Sequence, residues 1–288
     1  MRNIIITGAD SGLGYETAKK IAKKEKDCRI ILACRNDEKA QAAKSSITAE
    51  SGNENVDCMR VDLSELKSVE EFAAKYIGEY GSVYALINNA GVSPAHYGIT
   101  PEGFENIFAT NYLGHFLLTQ RLLPVMDEKG RVINVTSDMH NPPGGLEWNG
   151  VEYIARPDGD TRKNYYYSKL CLIYFTHKLS EKLKADGSGI TVNSFNPGFM
   201  AATNFAGGRA GKKRELHVRF SMPERYGKLK NSSDALAKIA ARAEFDGVTG
   251  EYFDRSTKTT RSSELSYNAE NSEELWQKSL EYCGLENG

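Results

Sequence analysis

Tyr165 and Lys169 stand four residues apart in the run Tyr165-Tyr166-Tyr167-Ser168-Lys169. On a helix that spacing puts both side chains on one face. An ammonium beside a phenol favours the phenolate and lowers the phenol pKa from its ordinary value of about 10. The pair is therefore expected to act as a proton donor usable near neutral pH. Tyr166 and Tyr167 have the wrong offset from Lys169. Spacing alone does not single out this pair. Tyr15/Lys19, Tyr174/Lys178 and Tyr226/Lys230 share it, and each of the four also reads as a half-buried tyrosine near a surface lysine. The elements around each pair must decide.

Ile4-Ile5-Ile6-Thr7 is a β-branched run that reads as a buried parallel strand. It enters Gly8-Ala9-Asp10-Ser11-Gly12-Leu13-Gly14, and a helical pattern runs from Leu13 to Lys24. Strand, glycine-rich turn and helix together can cradle a pyrophosphate. The glycines allow a tight turn and close backbone approach, and the helix N-terminus offers free N–H groups and a positive dipole. The spacing is T-G-x-x-x-G-x-G rather than G-x-G-x-x-G. The second strand, 29–34, ends where a dinucleotide fold meets the adenosine ribose. An acid there would suit NAD(H), but Cys34 and Arg35 occupy the place. A guanidinium suits a 2′-phosphate, while Asp10 in the turn opposes one. NADP(H) is thus expected over NAD(H), with a solvated arginine as the bland alternative.

The β/α alternation continues. A third strand is expected over 55–61. Asp62, followed by Leu63, lies at its end, placed either to accept from an adenine amino group or to cap the next helix. That helix carries Val69, Phe72, Ala73, Tyr76, Ile77 and Tyr80 at helical spacing. A fourth strand, 83–87, runs into Asn88-Asn89-Ala90-Gly91, whose small residues and amides can hold a turn beside a cofactor ring. Thr100-Pro101 reads as a helix start, N-cap then proline. Asn111 lies in the helix that follows, among apolar neighbours, where an asparagine commonly bonds backbone. The fifth strand, 130–136, is closed by Ser137, at the carboxyl edge where ligands of open α/β sheets lie. The turn-rich 138–164 segment is expected to cover the site.

The helix over 164–184 is apolar nearly all round, so it must bury two faces. One faces the sheet, and a second copy of the chain, making a homo-oligomer, is the candidate for the other. A sixth strand, 190–195, precedes Asn196-Pro197-Gly198. The mixture of Gly, Arg, Lys and aromatics over about 199–230 reads as a substrate lid. Its basic residues Arg209, Lys212, Lys213, Arg214, His217 and Arg219 could favour an anionic substrate or simply form a solvated face. A helix over 232–243, a seventh strand over 250–254 and a last helix over 271–283 complete the chain. The expected architecture is one doubly wound, Rossmann-type α/β domain across 1–288, a parallel sheet of seven strands with helices on both faces.

Bulk composition narrows the function classes. The chain has 37 basic and 38 acidic side chains and a formal net charge of −1, so it offers no general attraction for nucleic acid. Its five cysteines are dispersed, with no C-x-x-C pair; a reducing compartment is expected and a metal site is not. No run approaches the ~18 apolar residues of a membrane span, and the first residues lead straight into the first strand. A cytoplasmic protein without stable membrane insertion is expected.

Taken in order, Thr7-Gly8-x-x-x-Gly12-x-Gly14, Asp62, Asn88-Asn89-Ala90-Gly91, Asn111, Ser137, Tyr165-x-x-x-Lys169 and Pro197-Gly198 resemble the short-chain dehydrogenase/reductase family over most of the chain. Ala33-Cys34-Arg35, the long segment before Tyr165, the run 197–203 and Leu275-Trp276-Gln277-Lys278-Ser279 look most like its retinol-dehydrogenase and protochlorophyllide-reductase-like branch. The resemblance implies Asn111, Ser137, Tyr165 and Lys169 as catalytic residues. It implies a dinucleotide site at Thr7, Gly8, Asp10, Ser11, Gly12, Leu13, Gly14, Arg35, Asp62, Leu63, Asn89, Ala90, Gly91, Tyr165, Lys169, Pro197 and Gly198. By that analogy Lys169 also grips the nicotinamide ribose, and Asn111 seats a water linking Lys169 to solvent. Two departures stand out. The 138–164 segment has no cysteine, against light-driven chemistry, and no apolar N-terminal anchor is seen. The implied activity is NADP(H)-dependent interconversion of a carbonyl and an alcohol on a small, apolar substrate. A carbon–carbon double-bond reductase and a non-catalytic nucleotide-binding protein are the alternatives.

Overall fold

The strands are apolar on both sides because both faces of the sheet are covered. A computed structural model describes residues 1–93, 97–156, 161–200 and 215–286 in full and the backbone of 212–214. The strands are β1 (Arg2–Thr7), β2 (Cys28–Cys34), β3 (Val56–Arg60), β4 (Val83–Asn88), β5 (Met126–Val135), β6 (Thr191–Asn196), β7 (Tyr252–Asp254) and β8 (Thr259–Thr260). They form one sheet in the order β3-β2-β1-β4-β5-β6-β7-β8. All neighbours are parallel except the last pair, β7 and β8. The helices are α1 (Gly12–Lys24), α2 (Asp37–Ser51), α3 (Leu66–Tyr80), α4 (Asn106–Phe108), α5 (Gly114–Leu122), α6 (Val151–Ala155), α7 (Asn164–Ala185), α8 (Lys212–Ser221), α9 (Leu229–Ala241) and α10 (Ala269–Tyr282).

Successive strand residues point to opposite faces. Ile4 and Ile6 of β1 join Ile30, Leu32, Ile133 and Phe195 in a core under α1, α2 and α9. Ile5 joins Ile31, Leu86 and Val69 under α3 and α5. Val132 and Val192 meet α7 and α10 through Leu172, Phe175 and Trp276. The strand order reverses direction between β1 and β4, so the crevice beyond their carboxyl ends is the topological switch point where ligands of such sheets lie.

Several expectations are corrected. An eighth strand is present: Thr259 and Thr260 pair antiparallel with Tyr252 and Phe253. No helix begins at Thr100-Pro101. Gly103, at φ +83°, ends a tight turn in which Gly103 N donates to Thr100 O and Thr100 N to Phe104 O. The helix starts instead at Asn106, where Glu105 accepts from Phe108 N at 2.9 Å. The second apolar face of α7 needs no partner subunit, because α10 of the same chain covers it through Leu275, Trp276 and Leu280. The 138–164 segment holds a 3-10 turn, Asp138–His140, and α6. Its turn-rich 157–160, like lid residues 201–211 and the side chains of Lys212, Lys213 and Arg214, lies outside the described residues.

Candidate active site

The turn from β1 to α1 has the shape a pyrophosphate needs. Gly8 and Gly12 hold φ of +63° and +56°, in the left-handed region that favours glycine. A side chain on Gly14 would place its Cβ 2.5 Å from Gly8 O and 2.6 Å from Asn89 Nδ2, so only glycine lets the helix close on the turn. Asn89 Nδ2 donates to Thr7 O at 2.7 Å and to Gly8 O at 3.2 Å, tying the Asn88-Asn89-Ala90-Gly91 turn to the glycine loop. Ser11 precedes α1 without a side-chain capping bond, and no acid occupies the first turn, so neither a side-chain cap from Ser11 nor an acid in that turn competes for the first N–H groups near Leu13, where the helix dipole is positive. These residues fit a dinucleotide phosphate.

At the adenosine end, Cys34 is buried and its thiol is pushed up to about 12, first by burial and then by the Asp10 carboxylate nearby. Arg35 is two-thirds exposed and reaches Asp62 Oδ2 at 4.0 Å. Asp62 Oδ1 accepts from Ser64 N and Ser64 Oγ, at 3.1 and 2.7 Å. It thus shapes the approach to α3 while sitting at the end of β3 beside buried Leu63. At the far end, Gly198 N donates to Asn196 Oδ1, and Ser232 Oγ donates to Pro197 O, fixing the turn after β6.

The four expected catalytic residues come together beyond β4 and β5. Lys169, on α7, is buried, and its Nζ donates to Val135 O at 2.9 Å. Burial pushes its pKa down to about 7. The Tyr165 hydroxyl is paired with Ser137, and Lys169 Nζ lies 5.8 Å from the Tyr165 ring centre. Ser137 caps the 3-10 turn after β5: its Oγ accepts from Met139 N at 3.2 Å and donates to Asp138 Oδ1 at 3.3 Å. Asn111 lies in a π-helical turn, Ala109–Leu113, inserted between α4 and α5. Its Oδ1 accepts from Val92 N, and its Nδ2 donates to Val92 O and to Ser168 Oγ, one residue from Lys169. Asn111 is thereby a brace between the β4 turn and α7. A Cβ on Gly91 would approach Asn111 Oδ1 to 3.2 Å and Lys169 Nζ to 3.7 Å, so that glycine keeps the space beside the lysine open.

One electrostatic expectation is reversed. Desolvation by burial outweighs the Ser137 hydrogen bond and raises the Tyr165 pKa, where the helix spacing alone implies a lowered value. The same burial disfavours the Lys169 cation. Desolvation thus opposes both charges, although Tyr165 and Ser137 keep partial access to solvent.

The three rival pairs have structural work instead. Tyr15 pairs with Ser46 at 2.7 Å, with Lys19 stacked over its ring. Tyr174 donates to Leu265 O at 2.7 Å, and Lys178 pairs with Glu273. Tyr226 donates to Glu215 at 2.6 Å. None of these lies at the end of β5.

Sequence reasoning missed two histidines. His115 is fully buried; its Nε2 lies 2.9 Å from Thr7 Oγ1 and its Nδ1 3.0 Å from Asn111 O. His140 bonds Ser137 O through Nδ1 at 2.6 Å and accepts from Ser263 N through Nε2. The available signal was spacing: His115 is four residues after Asn111 and His140 three after Ser137.

The family model described as short chain dehydrogenase matches residues 2–147, and the chain belongs to that family. It is an oxidoreductase of the retinol-dehydrogenase-like branch, a group whose members use a nicotinamide cofactor. Retinol dehydrogenase 13 of Homo sapiens is 36% identical, covering 99% of this chain and 85% of its own length. Polyprenol dehydrogenase of Homo sapiens is 33% identical, with 99% and 86% covered. A solved protein of Mycobacterium paratuberculosis superposes with a TM-score of 0.74 at 28% identity, covering 99% of this chain and 94% of that one. Among the described residues no helix is long and apolar enough to cross a membrane.

Proposed function

We propose that this oxidoreductase interconverts an apolar alcohol and its aldehyde or ketone with NADP(H), using Tyr165 as acid and base. The observation that carries the reading is the Tyr165–Ser137 hydroxyl pair set against buried Lys169 at the carboxyl ends of β4 and β5. The names of the similar retinol and polyprenol dehydrogenases make long, apolar alcohols the first class to test.

The bound nicotinamide supplies the hydride in reduction and accepts it in oxidation. Ser137 Oγ holds the substrate oxygen beside the Tyr165 hydroxyl. In reduction, Tyr165 gives its proton to the oxygen as negative charge grows there. Burial keeps Tyr165 protonated until that moment, which suits a donor. The phenolate left behind faces Lys169, whose pKa near 7 lets it take up a proton as that charge appears. Surroundings that disfavour each charge alone can still favour the two together. In oxidation the same steps run backwards, and Tyr165 receives the hydroxyl proton.

Arg35 supports the NADP(H) preference, since it stands at the end of β2 with an exposed guanidinium where an acid would select NAD(H). The test is a panel of retinoid and polyprenoid alcohols, with their aldehydes and simple ketones, followed with each dinucleotide and checked by product analysis. Turnover of carbonyls or alcohols supports the reading. Saturation of a carbon–carbon double bond, or no dinucleotide turnover, overturns it.

A further inference from the structure

We propose that Arg225, by pairing with Asp138, sets the electrostatics of the Ser137–Tyr165 hydroxyl pair. Asp138 directly follows Ser137. Its Oδ1 accepts from Ser137 Oγ at 3.3 Å, and its Oδ2 lies 3.7 Å from Arg225 Nε. Arg225 Nη1 lies 3.0 Å from Met139 Sδ, so the guanidinium spans two residues of the turn that carries Ser137. Arg225 itself belongs to the chain returning from α8. Its N donates to Met222 O at 3.0 Å, and its carbonyl accepts from Phe199 N at 2.7 Å. Phe199 also forms a bridge with Tyr226 and accepts from Gly227 N. This segment is therefore tied by backbone to the end of β6 and by one side chain to the end of β5.

The charged surroundings give this contact a consequence. Burial is the first cause that raises the Tyr165 and Tyr252 phenols and lowers the His140 imidazole; the Asp138 carboxylate adds to the rise at Tyr165 of α7 and Tyr252 of β7 and opposes the fall at His140 of its own turn. Tyr252 is flanked in addition by Asp254 and Arg255. Around Tyr165 stand Ser137, Asp138, Tyr166 and the Lys169 side chain. An anion beside a proton donor makes it hold its proton more tightly, and a guanidinium on that anion offsets the effect. Arg225 balances Asp138. Without that guanidinium, Asp138 draws the Ser137 hydrogen toward itself and makes Tyr165 a poorer donor. Asp138 and Arg225 are positioning residues, and neither needs to touch the substrate.

This rests on Tyr165 being the acid and base. The test is the pH profile of kcat/KM for alcohol oxidation, whose acid limb then reports the loss of the Tyr165 proton. Arg225→Gln should move that limb to higher pH and Asp138→Asn to lower pH, each by roughly half to one unit for a partly exposed pair. The double variant should fall between them, and Arg225→Lys should keep the limb near wild type. A purely structural role would lower activity in both single variants without displacing the limb in opposite directions. Shifts of the same sign, or an unmoved limb, overturn the proposal. The Tyr165→Phe variant separates the two readings: if it turns over like wild type, the assignment of the acid fails. If it is inactive and the limb stays in place, only the Asp138–Arg225 pair fails.

Discussion

The His115 imidazole joins the dinucleotide turn to the π-helical turn that carries Asn111, with Thr7 Oγ1 at 2.9 Å on one side and Asn111 O at 3.0 Å on the other. The partners fix the tautomer. A carbonyl can only accept, so Nδ1 carries the hydrogen and Nε2 accepts from the Thr7 hydroxyl. Thr7 Oγ1 is then free to accept from Asn89 N and Ala90 N, both at 2.9 Å. A protonated ring would force a third donor onto the same oxygen. Burial accordingly pushes the His115 pKa down to about 4 from 6.5.

That shift predicts a pH dependence of stability. Below pH 6.5 the unfolded chain protonates this histidine while the folded one does not until about pH 4. Stability therefore falls as pH drops through that window, at about 1.4 kcal/mol per unit, and the His115 contribution is flat above and below it. His115→Gln should be less stable at pH 7 yet show a shallower slope between pH 6.5 and 4. Denaturant titrations of both proteins across that range check it. Parallel slopes would show that His115 does not resist protonation.

Lys169 predicts a conflict between stability and turnover. Its folded pKa of about 7, against 10.5 unfolded, means that the unfolded state binds the extra proton between those values. This contribution to stability rises with pH from 7 toward 10.5, and the full penalty is present below 7. Lys169→Met should abolish most turnover but melt higher than wild type at pH 7 without dinucleotide, with the advantage shrinking toward pH 9. Thermal melts of both proteins at three pH values decide it. A lower melting temperature for Lys169→Met at pH 7 would mean that the hydrogen bond to Val135 O outweighs the burial of the cation.

The four tyrosine–lysine pairs give a comparison within one chain. Tyr165→Phe should lower turnover by roughly 10²–10⁴, the range for a lost general acid. Tyr15→Phe, Tyr174→Phe and Tyr226→Phe lose bonds to Ser46, Leu265 and Glu215, so their effects should appear in stability rather than in kcat. Steady-state assays beside melting curves separate the two kinds of effect.

The sheet and the site were legible for a shared reason. Strands buried on both faces need unbroken runs such as Ile4-Ile5-Ile6, and the turns at their carboxyl ends need Gly8, Gly14 and Asn89 for close approach. What failed depended on contacts and burial that local sequence patterns do not carry. Thr100-Pro101 has the local signature of a helix start, yet Gly103 and the bridge from Ile99 to Glu105 close it as a turn. The second face of α7 is apolar by sequence, but only the fold shows that α10, a hundred residues on, covers it. The expected direction at Tyr165 failed because helix spacing reports a neighbouring charge and carries nothing about desolvation. The buried bond from His115 to Thr7 spans 108 residues and leaves no local pattern.

The cofactor choice turns on the end of β2. Arg35 is two-thirds exposed, and among the described residues its ion-pair contact, to Asp62 at 4.0 Å, is long enough to leave the guanidinium available to a 2′-phosphate. Charge-assisted hydrogen bonds of that kind contribute roughly 1.5–3 kcal/mol, and about 1.4 kcal/mol is tenfold in affinity. NADPH should therefore be preferred over NADH by roughly 10- to 100-fold. Asp10 opposes the preference, since its carboxylate is close enough to Cys34 to raise that thiol. Arg35→Ala should remove most of the gap by weakening NADPH while leaving NADH nearly unchanged. Cys34→Asp should add a carboxylate beside Asp10, repel the phosphate and accept from the ribose hydroxyls of NADH. Because Cys34 is buried, that variant should also lose stability, so KM for each dinucleotide is to be compared at fixed ionic strength on protein shown to be folded. A wild-type preference for NADH, or an unchanged ratio in Arg35→Ala, would remove Arg35 from the cofactor site and leave the Tyr165 chemistry standing.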